Sequence, residues 1–160
     1  MAINVFGVTA TSVKDHHFPH WDGFTTATTP TLATVTLMID ESGAVLAGKL
    51  SVEGIVPSTI TDATSAAYAW CATVVRLHAA IKVMQASTAQ DPAIIERWEK
   101  MLAALFKDLA TNGATAIGPG ASSISNPSGP DTHIETYSLE VDSAEDMSTT
   151  VPVFRRDDLL

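Results

Sequence analysis

The sequence reads as a mainly α-helical chain built on one packing unit of three helices, at about residues 30–52, 61–87 and 91–112. Three observations point there. One long central stretch is apolar around the whole helical circumference, and two flanking stretches repeat their apolar residues at helical spacing behind a cap and a proline. Charged residues make up only 17% of the 160 positions against 46% hydrophobic ones, so one core of good size is within reach.

The central stretch runs from Thr61 to Ala86. Tyr68, Trp70, Cys71, Val74, Val75, Leu77, Ile81, Val83 and Met84 fall on every face of the helical wheel, with alanines between them. A helix with no polar face is buried in a core or between subunits. Arg76, His78 and Lys82 lie inside the stretch and argue against a membrane span despite its length. Tyr68, Trp70, Val74, Leu77 and Ile81 are therefore expected to be core or subunit-packing residues.

In chain order, residues 1–28 show no sustained period and are expected to be irregular, docking through scattered anchors such as Phe6, Phe18 and Trp21. Asp15, His16, His17, His20 and Asp22 are ligand types for zinc or another divalent ion. Their spacing matches no closed site and Pro19 breaks any helix that would align them. The cluster is read as a His-rich loop, with no metal expected.

The first helix is expected to open with Thr29 as N-cap and Pro30 at the first helical position. Its apolar stripe is Leu32, Val35, Ile39, Val45, Leu46 and Leu50, with Asp40, Glu41 and Lys49 off it. Ser42 and Gly43 fall in the stripe, where they either permit a close helix crossing or weaken the helix. The third helix opens at Asp91-Pro92 and stops at Asn112-Gly113. Its stripe is Ile94, Ile95, Trp98, Met101, Leu102, Leu105, Phe106 and Leu109, and Glu96 stands four residues before Lys100, the favourable order for a surface pair. Trp98, Leu102, Leu105 and Phe106 are expected in the core rather than on a ligand platform.

Residues 1–113 thus form a helical domain, and 114–160 a Gly/Pro/Ser loop, a short alternating β segment at about 132–142 and an extended tail. The Gly118-Pro119-Gly120 run lacks the Lys-Ser/Thr of a phosphate loop. A lone strand needs a partner from elsewhere.

No catalytic constellation emerges: there is no nucleophile elbow, no HExxH, no CxxC and no glycine fingerprint. His78 is read as a hydrogen-bonded core histidine and Cys71, the single cysteine, as a reduced core residue. The chain is expected not to be an enzyme and to hold no cofactor. A net charge of −9 argues against free nucleic-acid binding. The N-terminal sequence has no secretory pattern, so a cytosolic origin is expected.

The stretches Thr28–Leu50, Ser65–Met84 and Glu96–Gly113, with the ending Val153, Phe154, Arg155, Arg156, Asp157, Asp158, Leu159 and Leu160, carry a resemblance. In pattern and order they resemble the head–tail adaptor (head-completion, connector) proteins of long-tailed bacteriophages, over about residues 25–113 plus the tail. The resemblance implies a structural virion protein of the phage neck, made in the host cytoplasm. It implies a homo-oligomeric ring of about twelve copies beneath the portal, closed by head-to-tail contacts. Such a ring extends the DNA channel toward the tail, passes genomic DNA without specific binding, and meets the next neck or tail-completion protein. The C-terminal segment would dock on the portal, and no membrane is involved. Rival readings are another neck, tail-completion or head-decoration protein, or a small cytosolic helical enzyme or regulator with a pocket between its helices.

Overall fold

The computed structural model describes residues 4–121. Five α-helices lie in this span: α1 (Ala10–His17), α2 (Leu32–Val52), α3 (Ala66–Ala86), α4 (Pro92–Asn112) and α5 (Ala114–Ile117). A short 3-10 turn, Pro57–Thr59, joins α2 to α3. The protein is mainly α, and among the described residues there is no β-strand. The β segment expected at 132–142 and the tail at 151–160 lie outside the described residues.

α3 is the centre of the unit, with α1, α2, α4 and α5 all packed on it. Eleven of its 21 residues are buried, among them Val74, Val75, Leu77, Ile81 and Val83, and they point in all directions around the axis. A narrow strip through Ala66, Ala69 and Thr73 stays open to solvent, as do Gln85 and Ala86 at the end of the helix. This is what an all-apolar wheel requires: no orientation of α3 could leave one side wet without exposing valine or leucine. α2 turns Val35, Ile39, Leu46 and Leu50 toward the core, and Ser42 and Gly43 are buried in that same face. Ser42 Oγ donates to the Met38 carbonyl at 2.6 Å, which satisfies the hydroxyl within its own helix.

Local chemistry sets the boundaries. At α4, Asp91 accepts hydrogen bonds from the Ala93 and Ile94 amides with Pro92 at the first helical position, as the sequence indicates. α4 closes on Gly113, whose φ of 53° belongs to the left-handed region that favours glycine. α2 starts two residues later than expected: Thr31, not Thr29, is the N-cap, its hydroxyl accepting from Thr34 N, and Pro30 precedes the helix. α3 starts at Ala66 because Asp62 is committed to a turn. Its carboxylate accepts from Thr64 N and Oγ1, and Ser65 caps the helix through Tyr68 N.

Two segments hold more structure than their sequence suggests. The N-terminal stretch, expected to be irregular throughout 1–28, contains α1, opened by reciprocal bonds between Thr9 and Ser12. Val13 on α1 is wholly buried and Phe18 just after it nearly so. The loop expected from residue 114 begins with α5, and Ile117 is buried in the same core as α2 and α3. Pro119 accepts from Ala67 N at the start of α3. The helical unit therefore does not stop at residue 113, and the described chain stays packed on it through residue 121. Phe6 completes the N-terminal anchor: it is 2% exposed, holds φ at 50°, and meets Tyr68 edge-on at 5.7 Å. A bulky residue takes that backbone only when its surroundings hold it there.

Candidate interaction surface

The side of α2 opposite its buried face is largely apolar, with Thr34, Glu41 and Ser51 the exposed polar residues on it. Leu37 is 57% exposed and Val52 80%, and Ala33, Ala44 and Gly48 lie between them on the same side. Leu32 and Val45, assigned above to the buried stripe, are also exposed: Val45 sits to one side of the Val35–Ile39–Leu46–Leu50 row, and Leu32 is in line with it but is the first residue of the helix. Leu37 lay in the sequence at helical spacing from Ala33 and Ala44, but a helix with so many apolar residues hides which of its rows is the buried one. Two charges on this helix are drawn sideways onto the same chain. Glu41 pairs with Lys82 of α3 at 2.6 Å, and the Lys49 ammonium sits 5.9 Å from the Phe106 ring centroid on α4.

α4 is different in kind. Its inner row packs against the core, yet only Leu109 is fully buried, while Ile94, Ile95, Trp98, Leu102, Leu105 and Phe106 remain partly covered. Met101, expected in that row, is instead 48% exposed. Outside, Ala93, Met101 and Ala104 floor a shallow trough bounded by Glu96, Arg97 and Lys100. Glu96 and Lys100 form the expected ion pair at 2.6 Å. Of the expected packing residues on α3, Val74, Leu77 and Ile81 are buried, whereas Tyr68 and Trp70 are half-buried.

Among the described residues the histidines, the cysteine and the acids are not gathered into one cluster. His16 is exposed and its Nδ1 bonds the Ser12 carbonyl; His20 is exposed in the loop after α1. His17 turns inward from α1 and meets the Trp98 ring edge-on at 5.2 Å. Burial first, then nearby Arg76 and His16, lower its pKa from 6.5 to about 4, so the ring is neutral at pH 7. No three His, Cys, Asp or Glu side chains among the described residues stand close enough together to hold a metal ion. Cys71 is buried, and desolvation raises its thiol to about 12. His78 departs from the expected hydrogen-bonded core histidine: its buried Nδ1 has no hydrogen-bond partner among the described residues, and burial together with Lys82 lowers its pKa. The buried Nε of Arg76 likewise has none among the described residues. A cleft of about 330 Å³ lies between the loop carrying Trp21 and Phe24 and the turn at Ser87–Ala89. The Ser87 hydroxyl there is occupied by the Met84 carbonyl at 3.1 Å.

What this arrangement offers is surface rather than a pocket chemistry: a bare apolar side on α2 and a charged side with an apolar floor on α4. No helix among the described residues is long and apolar enough to cross a membrane. The expected portal-docking residues, Val153 to Leu160, lie outside the described residues. No protein-family model, no curated protein and no solved structure matches the chain.

Proposed function

We propose that this chain is a head–tail adaptor of a long-tailed bacteriophage, a structural protein that forms a ring beneath the portal and extends the DNA channel toward the tail. The observation that carries the reading is the outward side of α2. A fold that leaves Leu37 and Val52 bare, with Glu41 and Lys49 drawn toward other helices of the same chain, has the surface of a subunit awaiting neighbours. The resemblance in helix order and in the terminal Val153–Leu160 segment supports the same reading, as does the scarcity of charge over the whole chain.

In this reading the C-terminal segment docks on the portal, and the excess of acids keeps DNA moving through the channel without sticking. The −9 charge is concentrated late in the sequence: Asp131, Glu135, Glu140, Asp142, Glu145 and Asp146 occur with no lysine or arginine among them.

The test is the mass of the purified protein with and without its portal, by mass photometry or native mass spectrometry. A ring-sized addition to the portal, lost when residues 151–160 are deleted, is the expected result. A chain indifferent to the portal sinks the adaptor reading.

A further inference from the structure

We infer that the cleft beside Trp21 binds an organic cation with a methylated ammonium head, the group that choline carries. The binding is recognition without reaction. It does not depend on the adaptor reading, since the cleft is formed by the loop before α2 and the turn after α3 rather than by the bare side of α2.

Two aromatic residues three positions apart build the cleft. Gly23 between them holds φ at 125°, in the region that favours glycine, and this turn lets Trp21 and Phe24 line the same space. Their rings stand 6.0 Å apart and nearly perpendicular, at 74°. Trp21 is braced from behind: its ring stacks on buried Phe18 at 4.4 Å and its amide donates to the Phe18 carbonyl at 3.0 Å. The rest of the half-buried indole is left for the cleft. The loop that follows is tied by its own bonds, Thr25 N donating to Thr28 Oγ1 at 2.9 Å and Leu32 N to the Thr25 carbonyl at 3.0 Å. The volume of about 330 Å³ is that of a small ligand pocket.

The lining selects the class of ligand. Aromatic rings attract cations to their faces, and Asp22 adds a carboxylate with no ion-pair partner among the described residues. No lysine or arginine among the described residues lines the cleft. Lys14 borders the next groove, which Asp22 also lines, but is held by Asp15 at 3.3 Å. A bare divalent ion is a poor occupant, because it needs several oxygen ligands and no three His, Cys, Asp or Glu side chains among the described residues gather to supply them. A neutral apolar ligand is a poor one too, because it brings no counter-charge to Asp22. A methylated ammonium meets both demands: its methyl groups lay spread positive charge on the rings, and the same charge faces the carboxylate. The net charge of −9 adds a long-range pull on any cation.

The experiment titrates the full chain with choline at neutral pH and follows the indole N–H signals of Trp21, Trp70 and Trp98 and the Gly23 amide by proton–nitrogen NMR. Saturable shifts at Trp21 and Gly23, with Trp70 nearly still and a Kd in the millimolar range, are expected. The uncharged isostere of choline, with carbon in place of the quaternary nitrogen, should bind about tenfold more weakly. Asp22→Asn, at an exposed position, should weaken choline several-fold, and Trp21→Leu should abolish its binding. Trp21→Leu also strips packing from Phe18, so Asp22→Asn is the variant that decides. A trimethyllysine amide titrated beside choline identifies the source of the cation. Tighter binding of choline assigns a free solute, and tighter binding of the lysine derivative assigns a modified side chain. An isostere that binds as well as choline overturns the inference, since the cleft is then merely apolar. Shifts that potassium chloride reproduces, shifts spread evenly over the three indoles, or an unchanged affinity in Asp22→Asn overturn it as well.

Discussion

α3 and α2 have the same length and both are rich in apolar residues, yet they end in opposite situations. Eleven residues of α3 are buried and only six of α2. α3 is packed by α1, α2, α4 and α5 of its own chain, so most of its apolar surface is used up by folding. α2 has α3 on one side, and Leu37 and Val52 remain in water on the other. An apolar wheel therefore does not mark the surface left for a partner. The spare surface belongs to the helix whose own chain runs out of elements to cover it.

The largest effect that tests this contrast comes from placing one carboxylate on each helix. Val75 is 0% exposed at the heart of α3, so Val75→Asp buries an unpartnered charge and should cost about 4 kcal/mol or more, enough to unfold much of the population. Leu37→Asp puts the same group in water and should move stability by no more than about 0.5 kcal/mol. Leu46→Ala, on the buried side of α2, falls between them at about 2–5 kcal/mol because it leaves a cavity. Urea unfolding midpoints give all three. A large loss in Leu37→Asp would mean that α2 is covered after all.

Next in size is a pH effect where α1 meets α4. His17 has a folded-state pKa of about 4 against 6.5 when free. Between those values the unfolded chain binds the proton and the folded chain does not, so stability rises with pH across the window. The contribution is fully present above about pH 6.5 and is lost as the pH falls toward 4. The ring is only partly buried, so after allowance for solvent screening the loss is on the order of 1–2 kcal/mol. His17→Asn should flatten the slope of stability against pH from 7 to 4, and an unchanged slope would remove His17 as its source.

How much of this was legible in the sequence depended on whether the signal was local. The α4 start at Asp91-Pro92 was readable because cap and proline act within one turn. The enclosure of α3 was readable because no face of it is polar. α1 was not, because its reciprocal Thr9–Ser12 cap uses serine where a longer acid or amide is the usual signal, and its single buried residue, Val13, makes no period. Leu32 keeps the period and is exposed because it is the first residue of α2, while Met101 and Val45 differ for another reason: an apolar residue beside the buried row matches a helical period nearly as well as one within it. Only the tertiary neighbour separates the two. The apolar side of α2 was hidden by the same ambiguity.

A smaller effect tests the local half of that lesson. Asp91→Ala removes the carboxylate that accepts from Ala93 N and Ile94 N and should cost about 1 kcal/mol. The loss should appear equally at low and high protein concentration, since the cap lies at the end of α4 and not on the outward side of α2. A penalty that grows with concentration would bring the start of α4 into the contact between copies.

The smallest expected change carries the sharpest sign. Gly48 stands in the interior of α2, where glycine is about 0.8–1 kcal/mol worse than alanine, and a Cβ there meets no atom of the same chain within 4 Å. Nothing inside the folded chain requires the missing methyl. Gly48→Ala should therefore stabilise the isolated chain by somewhat under about 1 kcal/mol, seen as a rise of a few degrees in Tm. Gly120 offers the opposite case: its φ is +101° and a Cβ would lie 2.7 Å from that of Ser65, so Gly120→Ala should destabilise. If α2 is the surface on which a second copy lies closely, Gly48→Ala should weaken association while it strengthens the fold. A variant that gains stability and assembles as before would show that the glycine serves neither the fold nor the contact. The apolar residues around it, not the close approach of two backbones, would then have to hold the copies together.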